Sequence, residues 1–377
     1  MKEKLIKYNW QQMDWPNFTY DINVLQEYVY QYVKNIGQIE GELAHLSPLA
    51  KEDISLQLMV SEAVKTSEIE GEYIDREDVM SSFKHHLGLP SSRQSRDVRA
   101  LGITKLITAA RQAVQEPLSK SLLFTWHKLL LGYSEGYTSM LIGGWREHAE
   151  VMQVVSGRVD KLIFHFEAPP SDYVPGEMKN FIAWFNETAQ GQEKEVQAAP
   201  VRAALAHLYF ESIHPFEDGN GRIGRAIAEK ALSQSLGYAI PMSISSCIEP
   251  NKAKYYAALK KAQASNKVTE WIIYFIEMLL QSQKKAQESI HFILKKASFF
   301  DRHREHLNDR QMKVINRMLE DGPDSFEGGI TPKKYIGITR CSKATATRDL
   351  ADLLNTKILY QLPGSGRSTH YAVKFEI

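Results

Sequence analysis

The chain is short of cysteine, of net charge and of long apolar runs, and each shortage excludes something. Only Cys247 and Cys341 occur in 377 residues, far apart and without metal-ligand spacing, so neither a disulfide framework nor a cysteine zinc site is indicated. The 46 Lys or Arg and 45 Asp or Glu leave a formal charge of +1, which argues against coating nucleic acid or an anionic membrane by bulk electrostatics; any DNA contact is local. The most apolar run, Trp271 to Leu280, is interrupted by Glu277 and is too short to span a bilayer, so no membrane partner is expected. Met1 to Tyr20 mixes Lys, Glu, Asn, Gln and aromatics without a continuous apolar stretch, and reads as a cytoplasmic protein without a secretory signal. What is present is 43% hydrophobic residues, enough for two or three domains with cores of their own.

The densest chemistry lies in His214-Pro215-Phe216-Glu217-Asp218-Gly219-Asn220-Gly221-Arg222-Ile223-Gly224-Arg225. Upstream, Val201, Leu205, Leu208 and Ile213 keep a helical period from Pro200; downstream, Ile223, Ala226, Ile227, Ala231 and Leu232 resume one, so the stretch is a helix-loop-helix corner. Gly219-Asn220-Gly221 can turn successive amides toward one point, where the second helix opens with its positive dipole end. That is an anion site. Arg222 and Arg225 are three apart and point from one helix face toward it, and the planar fork of an arginine suits phosphate. Asp218 places a carboxylate beside the bound phosphates, where its natural task is to hold Mg²⁺. His214 supplies an imidazole, a group that titrates near pH ~6.5 and can take a proton at neutral pH.

These residues match HPFx[D/E]GNGRxxR at every fixed position, and through them the chain resembles the Fic family. The resemblance implies transfer of AMP from ATP to a Ser, Thr or Tyr hydroxyl of a target protein, with pyrophosphate leaving. It implies that His214 is the general base and that Asp218 holds the Mg²⁺ bridging the phosphates. Nucleotide binding would fall to Gly219, Asn220, Gly221, Arg222, Ile223, Gly224 and Arg225, with Arg222 stabilising phosphate charge and Arg225 reaching the γ-phosphate.

Thr66-Ser67-Glu68-Ile69-Glu70-Gly71 resembles the inhibitory motif [S/T]xxxE[G/N] of many Fic proteins. The resemblance implies that Glu70 folds against the site of its own chain and pairs with Arg225, blocking and repelling the γ-phosphate. Glu68 and Glu72 read as solvated acids at a helix end. Between Gly143 and Pro170 the helical period disappears, and Trp145 to Phe164 read as two short strands around a Gly-containing turn. This resembles the Fic flap, which docks a target segment by adding its backbone to a strand edge. Tyr255 and Tyr256 open a later helix; Tyr256 is the candidate for stacking adenine, with bracing of a helix crossing as the equal alternative. His127 and His207 read as packing residues and receive no role.

Before the core, Trp10, Trp15 and Phe18 mark an irregular strap, followed by helices from Asp21, from about Lys51 to near Gly71, from an Asp75 cap, from Asp97 to Gln115 and from Ser119 to Leu131. After it, a long amphipathic helix runs from Thr269 to about Phe300. Helices over 310–319 and from Thr331 to Gly337, a helix capped by Ser342, and strands around Gly364-Ser365-Gly366-Arg367 resemble a winged helix-turn-helix. Thr345 and Arg348 would face outward and Arg367 would sit on the wing. From Asn308 onward 11 Lys or Arg face 8 Asp or Glu, so DNA contact and a structural or partner role both stand.

The expected architecture is mainly α: an N-terminal helical segment over 1–95 carrying the inhibitory motif, a Fic-type helical core over 96–266 with a β-hairpin flap near 145–165, a linking helix over 267–307, and a winged helix-turn-helix over 308–377. The expected function is a self-inhibited protein adenylyltransferase using Mg²⁺ and ATP. The alternatives are an enzyme that removes AMP at the same site, and a DNA-binding regulator with the Fic core as a nucleotide-responsive switch. Homodimerisation is compatible with the sequence.

Overall fold

The computed structural model describes residues 7–90, 95–132, 140–158, 161–319, 326, 328–363 and 369–375, with backbone only at 155–158 and 161–165. The chain divides into two compact units, one of residues 1–45 with 51–286 and the other of 46–50 with 287–377.

Unit one carries α1 (Ile22–Ala44), most of α2 (Pro48–Ile69), α3 (Arg76–His86), α4 (Val98–Gln112) and α5 (Lys120–Leu131). The antiparallel pair β1 (Gln153–Arg158) and β2 (Lys161–Glu167) follows, then α6 (Val174–Glu187), α7 (Ala199–Ile213), α8 (Asn220–Leu236), the short α9 (Ser245–Ile248), α10 (Lys252–Ala262) and the start of α11 (Thr269–His303). Local chemistry sets most of the starts. The side chains of Asp21, Asp75, Asp97 and Ser119 each accept a backbone N–H of the helix that follows, satisfying donors a helix start leaves open. α2 opens at Pro48 rather than near Lys51, because proline has no N–H to lose and its fixed φ suits a first helical position. α4 stops at Gln112, short of Gln115: the buried Lys230 ammonium takes the carbonyls of Ala113, Val114 and Glu116 in place of further helical bonds.

α7 is the centre of the unit. Every residue from Pro200 to Ile213 is buried, as befits a helix apolar nearly all round, and it packs against α8. The aromatic strap is tied across the chain by Trp10 Nε1 donating to Glu167 O (2.8 Å) and Trp15 Nε1 to Glu177 Oε2 (2.9 Å), while Trp15 and Phe18 pack edge-on to Tyr209 of α7. The hairpin pairs Gln153 with Glu167 at one end and Arg158 with Lys161 at the other. It is shorter than the expected span at its start: Trp145 is core, 4.5 Å from Phe124 ring to ring, and Arg146 is buried. Gly157 lies within β1, paired with Leu162, and the turn residues 159 and 160 fall outside the described residues.

Unit two holds the end of α11, α12 (Asp309–Met318), α13 (Pro332–Thr339), α14 (Lys343–Asn355) and the antiparallel pair β3 (Leu359–Gln361) and β4 (Tyr371–Val373), with Ile330 bridging to Tyr371. Asn308 and Gln311 form a capping box at α12, and Thr331 and Ser342 cap α13 and α14. The buried Asp349 carboxylate accepts from Arg310 Nε (2.8 Å) and Tyr335 OH (2.9 Å), tying three helices together. Arg348 is exposed, as expected of an outward residue. Thr345 is half-buried and its hydroxyl lies 2.9 Å from Ser342 Oγ, so it completes the cap of its own helix instead of facing outward. Gly364, Ser365, Gly366 and Arg367 lie outside the described residues. Among the described residues no helix is long and apolar enough to cross a membrane.

Candidate functional site

The site is built where α7 ends. His214 follows the last helical residue with φ 51° and ψ 61°, a left-handed conformation that costs a non-glycine residue about 1–2 kcal/mol. A buried arginine holds it there. Arg146 Nε donates to His214 O (2.8 Å), its Nη2 to Pro169 O (2.5 Å), its Nη1 to Ser171 Oγ (2.9 Å), and its backbone N–H to Pro215 O (2.9 Å). Burial lowers its pKa to about 10, which leaves it charged at neutral pH.

The rest of the loop is fixed by Phe216, Asn220 and His127. The Phe216 ring stacks on His127 at 4.1 Å with an interplanar angle of 14° and packs 5.1 Å from Trp145. Asn220 Oδ1 accepts from Phe216 N (2.9 Å) and its Nδ2 donates to Phe216 O (2.8 Å), closing the loop on itself. His127 Nδ1 accepts from Gly143 N (2.8 Å), so its other nitrogen carries the proton and donates to Asp218 O (3.1 Å). Burial drives this imidazole down to about 4, consistent with a neutral ring. The sequence assigned neither His127 nor Arg146 a role. Both act on backbone atoms of a distant segment, which no spacing reveals.

One pocket brings His214, Asp218, Gly219, Gly221 and Arg225 together with Glu70 and Tyr256, and Gln153 and Val154 of β1 form part of its wall. Arg225 is 2% exposed and fully engaged by the end of α2: Nη2 donates to Glu70 Oε1 (2.7 Å) and Thr66 O (3.0 Å), and Nε to Thr66 Oγ1 (2.7 Å). Burial is the largest single influence and works against its charge, but Glu70, Tyr255 and Tyr256 together outweigh it and raise the guanidinium's pKa. A Cβ built on Gly221 would collide with Glu70 Oε1, so the carboxylate lies on the first turn of α8, where an incoming anion would meet the positive helix end.

Arg222 Nη1 donates to Glu72 Oε2 (2.7 Å), and its Nη2 lies 3.4 Å from Asp218 Oδ2. Glu72 is therefore paired, not solvated, and Glu68 pairs with Lys65 at 2.6 Å. Glu72 departs from the expectation because the chain folds back after α2 toward α8, and Glu68 because Lys65 lies one turn earlier on the same helix. Tyr256 is half-buried; its hydroxyl donates to Ile69 O (3.4 Å) and burial pushes its pKa up.

The structure separates the expected nucleotide-binding residues into two sets. Gly219, Asn220, Gly221 and Arg225 line the pocket, although the Asn220 side chain is spent on the loop and only its main chain remains for a phosphate. Ile223 does not fit that role: its side chain is fully buried and its N–H donates to Gly219 O (3.0 Å). Gly224 faces inward, where an added Cβ would strike Glu211 Oε1. The reason is rotational, since successive residues of α8 point to different sides of the helix. Arg222 points to Glu72 and Asp218 and is not part of the pocket wall.

Among the described residues no three His, Cys, Asp or Glu gather as a metal cage. Mg²⁺ commonly binds through one or two carboxylates plus substrate phosphates, and the Asp218 side chain, 41% exposed on the pocket, fits that donor set.

Residues 117–232 match the Fic/DOC family, and residues 8–89 match a domain of unknown function (DUF4172). A probable protein adenylyltransferase of Aquifex aeolicus is 29% identical over 133 residues, which are 35% of this chain and 36% of that protein. A protein adenylyltransferase of Caenorhabditis elegans is 30% identical over 92 residues, 24% of this chain and 16% of that one. Each match spans well under two thirds of the relative's own length. Among solved structures, a Fic family protein from Desulfovibrio desulfuricans superposes with a TM-score of 0.52 at 19% identity, covering 93% of this chain and 96% of that one. A Fic domain containing signaling protein from Bacteroides thetaiotaomicron gives 0.51 at 19% identity, covering 70% and 97%. At such identities the likeness is one of fold.

Proposed function

The chain carries a Fic/DOC-family domain over residues 117–232, and from that premise we propose that it is a self-inhibited protein adenylyltransferase, moving AMP from ATP to a hydroxyl of a target protein. The observation that carries the reading is the occupation of Arg225 by Glu70 and Thr66 at the N-terminal turn of α8. A buried arginine at a helix N-terminus is a phosphate site by its physics, and a carboxylate of the same chain sits on it.

The target hydroxyl attacks the α-phosphorus of ATP, its proton passes to His214 Nε2, the bond from that phosphorus to the bridging oxygen breaks, and pyrophosphate leaves. The chain's part is positioning and charge, the main demands of phosphoryl-type transfer. The amides of Gly219 to Gly221 and the α8 dipole hold the phosphates, and Arg225 binds the γ-phosphate once Glu70 has left. Arg146 keeps the His214 backbone in place through the His214 carbonyl. Asp218 would hold Mg²⁺, which supplies charge neutralisation on the phosphates when bound. The β1–β2 hairpin, part of which walls the pocket, would dock the target backbone.

The test is incorporation of α-³²P-labelled ATP into protein by wild type, Glu70→Gly and Glu70→Gly with His214→Ala. Strong labelling in the single variant alone supports transfer, the brake and the base together. Absence of label from every folded variant rejects the transferase, and loss of label from a premodified target only while Glu70 is present would put removal of AMP in its place.

A further inference from the structure

We propose that Glu211 is the residue that positions the base: its carboxylate faces Nδ1 of His214 and keeps the imidazole proton there, leaving Nε2 unprotonated. This inference rests on the reading of His214 as the base. Glu211 and His214 are three apart at the end of α7, and Glu211 Oε2 lies 3.7 Å from His214 Nδ1. Among the described residues His214 is the only basic group within ion-pair distance of that carboxylate.

Glu211 is 5% exposed. Burial opposes its ionisation, yet the His214 contact and the Arg225 charge hold its pKa below the ordinary carboxylate value, so it sits in the protein as an anion. A buried carboxylate without firm partners is costly. Here Glu211 Oε1, His214 Nδ1 and His207 Nδ1 are all buried polar atoms without a hydrogen-bond partner among the described residues.

His207 does not answer that need. Its Nε2 lies 2.7 Å from Tyr255 OH, and burial keeps the ring neutral. Gly224 gives the carboxylate its room, because a Cβ there would strike Glu211 Oε1 and lie 3.3 Å from His207 Nδ1. That gives a physical reason for glycine in this chain at a variable position of the signature, one that does not line the pocket.

The gap of 3.7 Å is longer than a hydrogen bond. It closes when it is needed: as the substrate proton reaches Nε2, the imidazole becomes a cation with its second N–H aimed at an anion. This is the arrangement of a base oriented by a third group, and it also fixes the tautomer, which the hydrogen bond made by the other ring nitrogen decides.

The experiment is ¹⁵N NMR of the full chain, with the ring nitrogens of His214 assigned by their disappearance in His214→Ala. At a pH where the ring is neutral, the wild-type signals are expected to show protonated Nδ1 and bare Nε2. Glu211→Leu should switch His214 to the Nε2–H form, and Glu211→Gln, which keeps an acceptor oxygen, should retain the wild-type form. In the Glu70→Gly background Glu211→Leu should lower kcat about 10–100-fold while leaving KM for ATP within about twofold, with Glu211→Gln recovering most of the loss. An Nε2–H tautomer in wild type, a tautomer unchanged in folded Glu211→Leu, or equal losses in both variants would overturn the proposal. If Glu211→Leu does not fold, the wild-type tautomer alone decides. Absence of AMP transfer alongside the expected tautomers would sink the transferase reading and leave the Glu211–His214 contact standing.

Discussion

Glu70 Oε1 lies 2.7 Å from Nη2 of Arg225, on a guanidinium whose other bonds go to Thr66 and which is 2% exposed. A nucleotide that needs this arginine must therefore displace a carboxylate and reopen a buried pair. Such a coupling is worth about 1–3 kcal/mol, or about 5–150-fold. Glu70→Gly should raise the initial rate of AMP incorporation, and tighten ATP binding measured by calorimetry, by a factor in that range. Unchanged ATP affinity in the variant would show that Glu70 does not compete for the site.

Arg222 does not line the pocket while Glu72, two residues beyond Glu70, holds it at 2.7 Å, and freeing it would let the guanidinium turn toward the phosphates. Glu72 is 24% exposed, close to the 28% of Glu70, but its partner is also offered Asp218. Removing Glu72 leaves Arg222 with that second carboxylate, so the gain is expected to be smaller. Glu72→Ala alone should raise the initial rate about two- to fivefold, on the scale of a partly exposed ion pair. Combined with Glu70→Gly it should exceed the single variant. A double-mutant cycle on initial rates measures the coupling between the two contacts; a double variant no faster than Glu70→Gly would mean that Glu72 is structural.

What the sequence could show was local. Asp21, Asp75, Ser119 and Ser342 announce helix starts because a cap and its recipient N–H lie within three residues. The motif loop was legible for the same reason, as was the position of Glu70 in a short pattern. Glu72, Arg146 and His127 were not, since their partners lie 150, 68 and 91 residues away along the chain. The failure at Ile223 and Gly224 has a different origin. A linear signature does not say which of its residues point inward, and α8 turns both of these away from the pocket toward the protein interior.

Arg146 should be less replaceable than its place in a loop suggests. Its fork reaches His214 O, Pro169 O and Ser171 Oγ together, a pattern that the point charge of lysine cannot reproduce. Arg146→Lys is expected to cost about 2–4 kcal/mol of stability in unit one, from two or three charge-assisted hydrogen bonds lost in a buried site. In the Glu70→Gly background it should lower kcat more than it raises KM for ATP, because the backbone it releases carries His214 and not the phosphate cradle. Thermal unfolding and steady-state kinetics on the same preparation separate the two effects.

Asp349 offers a test of unit two that is independent of the catalytic reading. The Arg310 guanidinium, at 2.8 Å, holds its carboxyl below the ordinary carboxylate range against the opposing effect of burial, and the Tyr335 hydroxyl assists. The folded protein thus binds this proton more weakly than the unfolded chain, so the stabilisation is present above the unfolded pKa of about 3.9 and is lost as pH falls through the lower folded value. Arg310 is 41% exposed, which discounts the pair, so Asp349→Asn is expected to cost about 1–3 kcal/mol at neutral pH. Hydrogen exchange in α12, α13 and α14 should quicken in the variant at pH 7, and its further loss of protection below pH ~4 should be shallower than in wild type. Equal acid sensitivity in both proteins would assign the acid response of these helices to other carboxylates.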